Sequence, residues 1–184
     1  KPNSPEEAEA IALIGGWNLQ TDKQNRHAAL GVCILLEEWQ AERSQVALPG
    51  ARETLHQCMK SVRDVSGRLD PEWGSLQQHG RGDRKWDAAG GPDTLRAMYA
   101  ERLNEKDDHL TVVAGDGLYY LIEWTADGRH NIQGTHQYGS HMTDASSPHY
   151  LDQAEDFSRE TMRSPGFYPE NRSTISRRYT VSGP

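Results

Sequence analysis

The first third of the chain places its apolar residues at the three- and four-residue spacing that is typical of helices. Residues 6–14 are helix formers with glutamates in the first turn, and Ser4 precedes them as the expected N-cap. A second helix is predicted from a cap at Asp22 to about Ser44, and a third over about residues 50–65. The second helix is apolar on nearly every face, which predicts that it is buried on several sides.

From Leu110 onward the spacing of apolar residues changes to two, as expected of strands. The pattern predicts a strand over residues 110–114, a turn at 115–117 and a returning strand over 118–124. A third strand around residues 132–136 would complete a meander. The first two strands carry apolar or aromatic residues on both faces, which is typical of sheets that are covered on both sides.

The order of these elements, with helices first and strands later, predicts an α+β fold rather than alternating β-α-β units. We interpret the chain as a single piece covering residues 1–184. Its consecutive parts are helical, loop-rich with Trp and Gly, strand-forming and irregular, and they cover residues 1–66, 67–109, 110–136 and 137–184. One short helix is predicted in the last part, near Gln153–Met162.

Net charge narrows the classes of function. The 184 residues include 27 acidic and 20 basic side chains, which gives a net charge of −7. Proteins that bind nucleic acid or anionic membranes normally carry the opposite sign, so we predict no nucleic-acid partner. No apolar run is long enough to predict a membrane span.

The low overall hydropathy of the chain suggests that it needs a partner polypeptide to cover its apolar elements. The mean hydropathy is −0.84, yet the second helix and the two apolar-faced strands need extensive cover. We therefore expect another polypeptide to bury more than about 2,000 Å² of this chain, and the chain made alone to be insoluble or molten and inactive. The start at Lys1-Pro2, without Met or an apolar leader, suggests a processed chain or a piece of a longer one.

The densest group of polar side chains lies in the irregular part and allows three interpretations. A metal site would draw on imidazole and carboxylate ligands from His136, His141, His149, Asp144 and Asp152. A serine hydrolase would use Ser140 or Ser147 with His149 and Asp152. Neither an HExxH nor a GxSxG motif accompanies these residues, so we favour the third interpretation, in which they stabilise a loop by hydrogen bonds. We predict no metal and no cofactor in this chain.

Four segments carry a resemblance to a known family. They read GRLDPEWG at 67–74, GGPDTLRA at 90–97, VVAGDGLY at 112–119, and YGS at 138–140 followed by SPHYLDQ at 147–153. These are similar to G-R-x-D-x-x-W-G, G-G-x-x-T-L-x-A, G-D-S-Y, and Y-G-Q-S followed by S-P-H-Y-x-D-Q. The chain departs from these patterns at Gly117, where Ser is usual, and in lacking the Gln of Y-G-Q-S.

In this order, from about residue 25 to 170, the segments resemble the C-terminal third of the β chain in the penicillin acylase (penicillin amidase) family of N-terminal-nucleophile hydrolases. That family includes the acyl-homoserine-lactone acylases and the aculeacin-type lipopeptide acylases. The resemblance implies part of an αββα sandwich that other chains complete. It also implies an amidohydrolase that cleaves the amide bond of an N-acylated substrate of the acyl-homoserine-lactone, β-lactam or lipopeptide type.

The resemblance further implies where the chemistry is located. In the family a precursor cuts itself, and the new N-terminal Ser, Cys or Thr is the nucleophile, with its own α-amine as general base. A backbone N–H and an Asn amide on the same chain hold the oxyanion. Because the resembling segments come later in that chain, we expect the nucleophile on another chain of the same processed precursor and assign no catalytic residue here. The alternative is a noncatalytic structural or binding module.

The family's architecture suggests the remaining expectations. It places the helix at 27–39 on the acyl-pocket side, so His27, Ala28 and Gly31 are the candidate substrate-binding residues, with plain helix packing as the alternative. Family members are commonly exported, which predicts a periplasmic or secreted protein. By composition alone, Cys33 and Cys58 could be two buried thiols or a disulfide. Export would permit the disulfide, and two antiparallel helices could bring the two Cα atoms close enough to form it.

Overall fold

A computed structural model describes residues 1–92, 94 and 96–164. Its contacts divide the chain into two compact units, Lys1–Asp116 and Gly117–Pro184. Three N-terminal helices are followed by a mixed four-stranded sheet and then by a hairpin, which confirms the predicted α+β class. Within the described ranges, none of the helices has the length and apolar character needed to cross a membrane.

The helices of the first unit begin and end at residues that the local sequence favours. They are α1 (Pro5–Gly15), α2 (Ala28–Ser44) and α3 (Ala51–Ser66). Helix α1 has the predicted cap, because the Ser4 Oγ accepts a hydrogen bond of 3.1 Å from the Glu7 N–H. Helix α3 matches the prediction for residues 50–65 to within a residue at each end.

Helix α2 begins later than the cap predicted at Asp22, because the residues before it form a hydrogen-bonded loop. The Asn25 Nδ2 donates to the Gln20 carbonyl oxygen at 2.8 Å and to the Asn18 Oδ1 at 2.9 Å. The Asn25 Oδ1 also accepts from the His27 N–H at 2.9 Å. Asparagine side chains compete in this way for backbone groups that a helix would otherwise use.

The three helices enclose the main apolar core with the short helix α4 (Trp73–Leu76). Leu30 on α2 and Cys58 on α3 are fully buried, and Trp73 is 3% exposed. A disulfide between Cys33 and Cys58 joins α2 to α3, with their Cα atoms 5.8 Å apart. The first helical layer is therefore linked both by apolar packing and by a covalent bond.

The sheet of the first unit has three of its four strands in the part of the sequence that we predicted to be loop-rich, whereas its fourth strand is the one predicted from Leu110. Its strands are β1 (Gln77–Arg81), β2 (Arg84–Asp87), β3 (Met98–Glu101) and β4 (Leu110–Gly115), in the order β2-β1-β4-β3. The β1–β4 pair is parallel, whereas the β1–β2 and β3–β4 pairs are antiparallel. The first three strands are short and lack a clear alternation of apolar residues, so the period of two did not identify them.

The second unit contains a hairpin and one short helix. Strands β5 (Leu118–Trp124) and β6 (His130–His136) pair in antiparallel register, and α5 (Ala154–Ser158) follows. The predicted short helix is thus present. The predicted meander is wrong in one pairing, because β5 pairs with β6 whereas β4 lies between β1 and β3. The reason is local: Asp116 does not close a tight turn but bonds Ala97 through both its backbone N–H and its carboxylate, each at 2.8 Å.

Candidate functional site

The first unit contains an apolar groove of about 440 Å³. Helices α2, α3 and α4 and strands β3 and β4 supply its walls. Its apolar lining comes from Ala29, Val32, Cys33, Leu36, Val62, Val65, Trp73, Leu76, Ala100 and Leu110. Its polar lining comes from Glu37, Gln40, Ser61, Asp64, Glu101 and Arg102. A volume in this range suits a small organic ligand.

Two faces of α2 have different surroundings, and the groove belongs to only one of them. Ala29, Val32 and Leu36 recur at three- and four-residue spacing and face the groove. Gly31, which lies between the first two of them, packs against the Trp17 ring in the N-terminal part of the chain. A helix that is apolar all round can therefore bury one side against the protein while its other side lines an open groove.

The residues predicted to contact substrate lie on the packed face. His27 Nδ1 is 3.0 Å from the Leu13 carbonyl oxygen, and Ala28 is fully buried. Gly31 lies beneath the Trp17 ring, so closely that a side chain at this position would overlap it. The structure brings these three residues together on one side of α2, but none of them lines the groove.

In the second unit, the polar cluster predicted from the sequence forms a hydrogen-bonded loop. The His149 Nδ1 is 3.1 Å from the Asp152 Oδ2, while the Ser147 Oγ accepts from the His149 backbone N–H at 3.2 Å. The Ser146 hydroxyl and N–H both donate to Asp144, which lowers the pKa of that carboxyl. The Ser147 hydroxyl is thus directed to the backbone rather than to the imidazole ring.

The histidines and carboxylates of the same cluster, all of which lie in the described part of the chain, do not form a metal site. Among the residues that the structure describes, no group of three or more His, Cys, Asp or Glu side chains is arranged to hold a metal ion. His149 and Asp152 form a single contact between an exposed imidazole and a partly buried carboxylate. The loop-stabilising interpretation accounts for these contacts.

Three of the four segments that carry the family resemblance are linked by direct hydrogen bonds. The Trp73 Nε1 donates to the Gly90 carbonyl oxygen at 2.7 Å, which joins the first segment to the second. The Gln77 Nε2 donates to the same oxygen at 3.0 Å. Asp116, in the third segment, bonds Ala97, at the end of the second. Asp93 and Leu95 of the second segment lie outside the described residues.

The fourth segment is held together within the second unit. The Gln153 N–H donates to the Tyr138 carbonyl oxygen at 2.8 Å, and the His141 N–H donates to the His149 carbonyl oxygen at 3.1 Å. Gly139 lies so close to the His149 carbonyl that a Cβ would overlap it. The contacts described for these segments join parts of the backbone to one another. No protein-family model matches the chain.

Two buried titratable groups, His79 and Glu7, have lowered pKa values and were not found by sequence reasoning. His79 on β1 is fully buried, and its burial, together with the positive charges of Arg96 and Lys23, lowers its pKa to about 4. Glu7 is 2% exposed. A hydrogen bond from the Asn3 backbone N–H and an ion pair with Arg52 lower its pKa. The capping pattern Ser4-x-x-Glu7 is the one sequence signal that points to Glu7.

Proposed function

We propose that this chain is a segment of an N-terminal-nucleophile amidohydrolase of the penicillin acylase type. Together with a partner chain from the same precursor, it hydrolyses the amide bond of an N-acylated substrate of the acyl-homoserine-lactone, β-lactam or lipopeptide type. The observation that supports this best is the linkage of the resembling segments. Patterns that match a family by chance have no reason to be in contact, whereas hydrogen bonds join Trp73 to Gly90 and Ala97 to Asp116.

The proposed reaction has two steps. The N-terminal Ser, Cys or Thr of the partner chain attacks the amide carbonyl, its α-amine takes the proton, and the amine product leaves. Water then attacks the acyl-enzyme and releases the carboxylic acid. The motif residues of this chain have structural roles in the proposal, and its helices and strands complete the αββα sandwich that supports the partner's site.

The hairpin of the second unit supports the need for a partner. Leu118, Tyr120, Ile122 and Trp124 occupy alternate positions of β5 and are 42–69% exposed. Alternate residues of a strand share one face, so these four form an apolar stripe. In the proposal, polypeptide from the same precursor covers this stripe.

The proposal includes export to the periplasm or the medium. The Cys33–Cys58 disulfide is consistent with an oxidising compartment, where such bonds form and persist. The two cysteines lie on different helices, so the bond joins two elements of the fold.

The decisive experiment identifies what this chain is bound to in its source. The protein is purified under native conditions, and each chain is sequenced from its N-terminus and weighed by mass spectrometry. We expect a second chain that begins with Ser, Cys or Thr and that gains the mass of an acyl group when N-acylated substrate is added. Recovery of this chain with no such partner would contradict the proposal.

A pair of variants tests the absence of catalytic residues in this chain. Ser147→Ala removes one of the two serines considered as a nucleophile, and His149→Ala removes the imidazole that either serine would need as its base. We expect acylation of the partner to continue at a rate within about threefold of the wild type, because neither group touches the reacting atoms. Replacement of the partner's N-terminal nucleophile is the matched control and is expected to abolish acylation.

The alternative function is a noncatalytic structural or binding module. In that case the same purification would yield no acylated chain, and the protein would bind N-acyl compounds without turnover or not at all. The acylation measurement therefore separates the two functions directly.

A further inference from the structure

The groove of the first unit is an open extension of its apolar core. Leu36, Val65 and Leu110 are only partly buried, although each packs against the fully buried cluster. Trp73 and Val62 form the closed part of the groove and are 3% and 5% exposed. Apolar side chains in such a position gain stability when a hydrocarbon group displaces the water above them.

Acidic side chains lie along the same groove. Glu37, Asp64 and Glu101 line it, against the single positive charge of Arg102. Within the described part of the chain, Glu37 and Glu101 form no ion pair, whereas Asp64 pairs with Lys60. The Arg102 guanidinium donates to the carbonyl oxygens of the loop that follows β3. Two glutamates are therefore available to meet a charged ligand.

We propose that this groove binds a small ligand that has a hydrocarbon body and one positive charge, such as an alkyl amine. The hydrocarbon body lies against Val62, Val65 and Trp73, and the ammonium group lies beside Glu37 and Glu101. The volume of about 440 Å³ falls within the range typical of small-molecule sites. This inference goes beyond the proposed amidase and does not depend on it, since the groove residues take no part in acyl transfer.

The charge of the groove should make its affinity for an alkyl amine higher than its affinity for an alcohol or a carboxylate with the same hydrocarbon chain. A carboxylate on the same hydrocarbon body would be repelled by the two glutamates, and an alcohol would lose the electrostatic attraction. An amine keeps both the apolar contacts and the ion pairs. Ligand charge at constant hydrocarbon length is therefore the variable to measure.

The test uses n-octylammonium, 1-octanol and octanoate as probes on the purified protein in its assembled form. Calorimetric titration gives each dissociation constant. We expect n-octylammonium to bind at least about tenfold more tightly than octanoate, with 1-octanol between them. Equal affinities for the amine and the carboxylate would overturn the proposal, as would the absence of saturable amine binding. That last result would indicate that polypeptide already covers the groove.

Variants locate the binding to the groove. Glu37→Gln combined with Glu101→Gln keeps the shape of the site and is expected to reduce the preference for the amine to less than about threefold. Glu38→Gln removes one negative charge from an exposed neighbour outside the groove and is expected to leave the preference unchanged. Val65→Trp fills the cavity and is expected to weaken amine binding at least about tenfold. If Val65→Trp is folded by circular dichroism and binds the amine normally, the site lies elsewhere and the proposal fails.

Discussion

At the scale of single residues, the burial of His79 determines how this side chain affects the stability of the protein at different pH values. This side chain stacks on Trp86, with 5.4 Å between ring centroids, and has no exposed surface. Burial lowers its pKa from 6.5 to about 4, and the positive charges of Arg96 and Lys23 add to the effect. The folded protein therefore keeps this imidazole neutral at pH values where the unfolded chain protonates it.

The sign of the resulting pH dependence follows from that shift. The contribution of His79 to stability is fully present above pH 6.5 and is lost as the pH falls toward 4. Between pH 7 and pH 5, we expect His79 to reduce the free energy of unfolding by about 2 kcal/mol. Urea unfolding of the assembled protein at both pH values measures this loss of stability. The loss should disappear in His79→Phe and should persist in His141→Gln, a control at an exposed histidine. An unchanged pH dependence in His79→Phe would contradict the assignment.

Gly31 gives a second prediction at this scale, because its small size allows Trp17 to lie on α2. The Trp17 Nε1 donates to the Gln20 carbonyl oxygen at 2.7 Å, which fixes the ring in place. Gly31→Ala forces the ring to move and should lower the free energy of unfolding by about 1–3 kcal/mol. Gly15→Ala is the control, since an added Cβ there meets nothing within 4 Å, and it should raise stability by about 0.5–1 kcal/mol. A changed KM for N-acyl substrate with unchanged stability in Gly31→Ala would instead support substrate contact.

At the scale of elements, the disulfide fixes α2 to α3. The bond joins residues 25 apart in sequence, and closing a loop of that length restricts the unfolded chain. We expect Cys33→Ala combined with Cys58→Ala to lower the free energy of unfolding by about 3 kcal/mol. Chemical reduction of the wild type should cause a similar loss. Two titratable thiols in the denatured, unreduced wild type would show that the bond is absent.

The register of the β5–β6 hairpin is a second prediction at this scale. Glu123 lies opposite Asn131, and the Asn131 Nδ2 donates to the Glu123 Oε2 at 3.3 Å. Cysteines at directly opposite positions of an antiparallel pair can form a disulfide, whereas positions two residues out of register are much farther apart. We expect Glu123→Cys with Asn131→Cys to cross-link under mild oxidation and Glu123→Cys with Gln133→Cys to remain reduced. Peptide mapping by mass spectrometry reads the result, and the reverse outcome would indicate a shifted register.

At the scale of the whole molecule, the apolar stripe of β5 predicts dependence on a partner. Trp124 is 69% exposed and Tyr120 is 61% exposed. Exposed stripes of this kind on a strand promote aggregation. We expect residues 1–184 made alone to be insoluble or loosely packed, and co-production with the partner chain to give a soluble complex. Tyr120→Ser with Ile122→Ser should improve the solubility of the isolated chain and weaken the complex. A soluble wild-type monomer with cooperative thermal unfolding would refute this dependence.

The elements that the sequence predicted well are those defined by contacts between near neighbours. Ser4 caps α1 through a residue three positions away, and the apolar spacing of α3 repeats within each turn. The alternation over Leu118–Trp124 identified β5 for the same reason. Periodicity carries this information because a helix turn and a strand pleat are local structures.

Strand pairing and the candidate site depend on residues that are distant in sequence. Gln77 and His79 are polar residues on the short strand β1, yet the fold buries both, and Gln77 bonds Gly90 across the loop. The groove likewise draws its walls from α2, α3 and β4, which no local pattern connects. The apolar character of α2 was visible in the sequence, but which of its faces meets Trp17 and which lines the groove was not.

The sequence by itself thus determined the three N-terminal helices apart from the start of α2, the long strands and the α+β order, because each depends on propensity, capping and spacing within a few residues. Only the tertiary structure decided that β4 pairs with β1 and β3, that Cys33 reaches Cys58, and that Glu37 and Glu101 share one groove. Hydrogen-bonding groups on a strand edge are chemically alike in every strand, so the backbone does not specify its partner. Side chains brought together by the packing of distant elements make that choice.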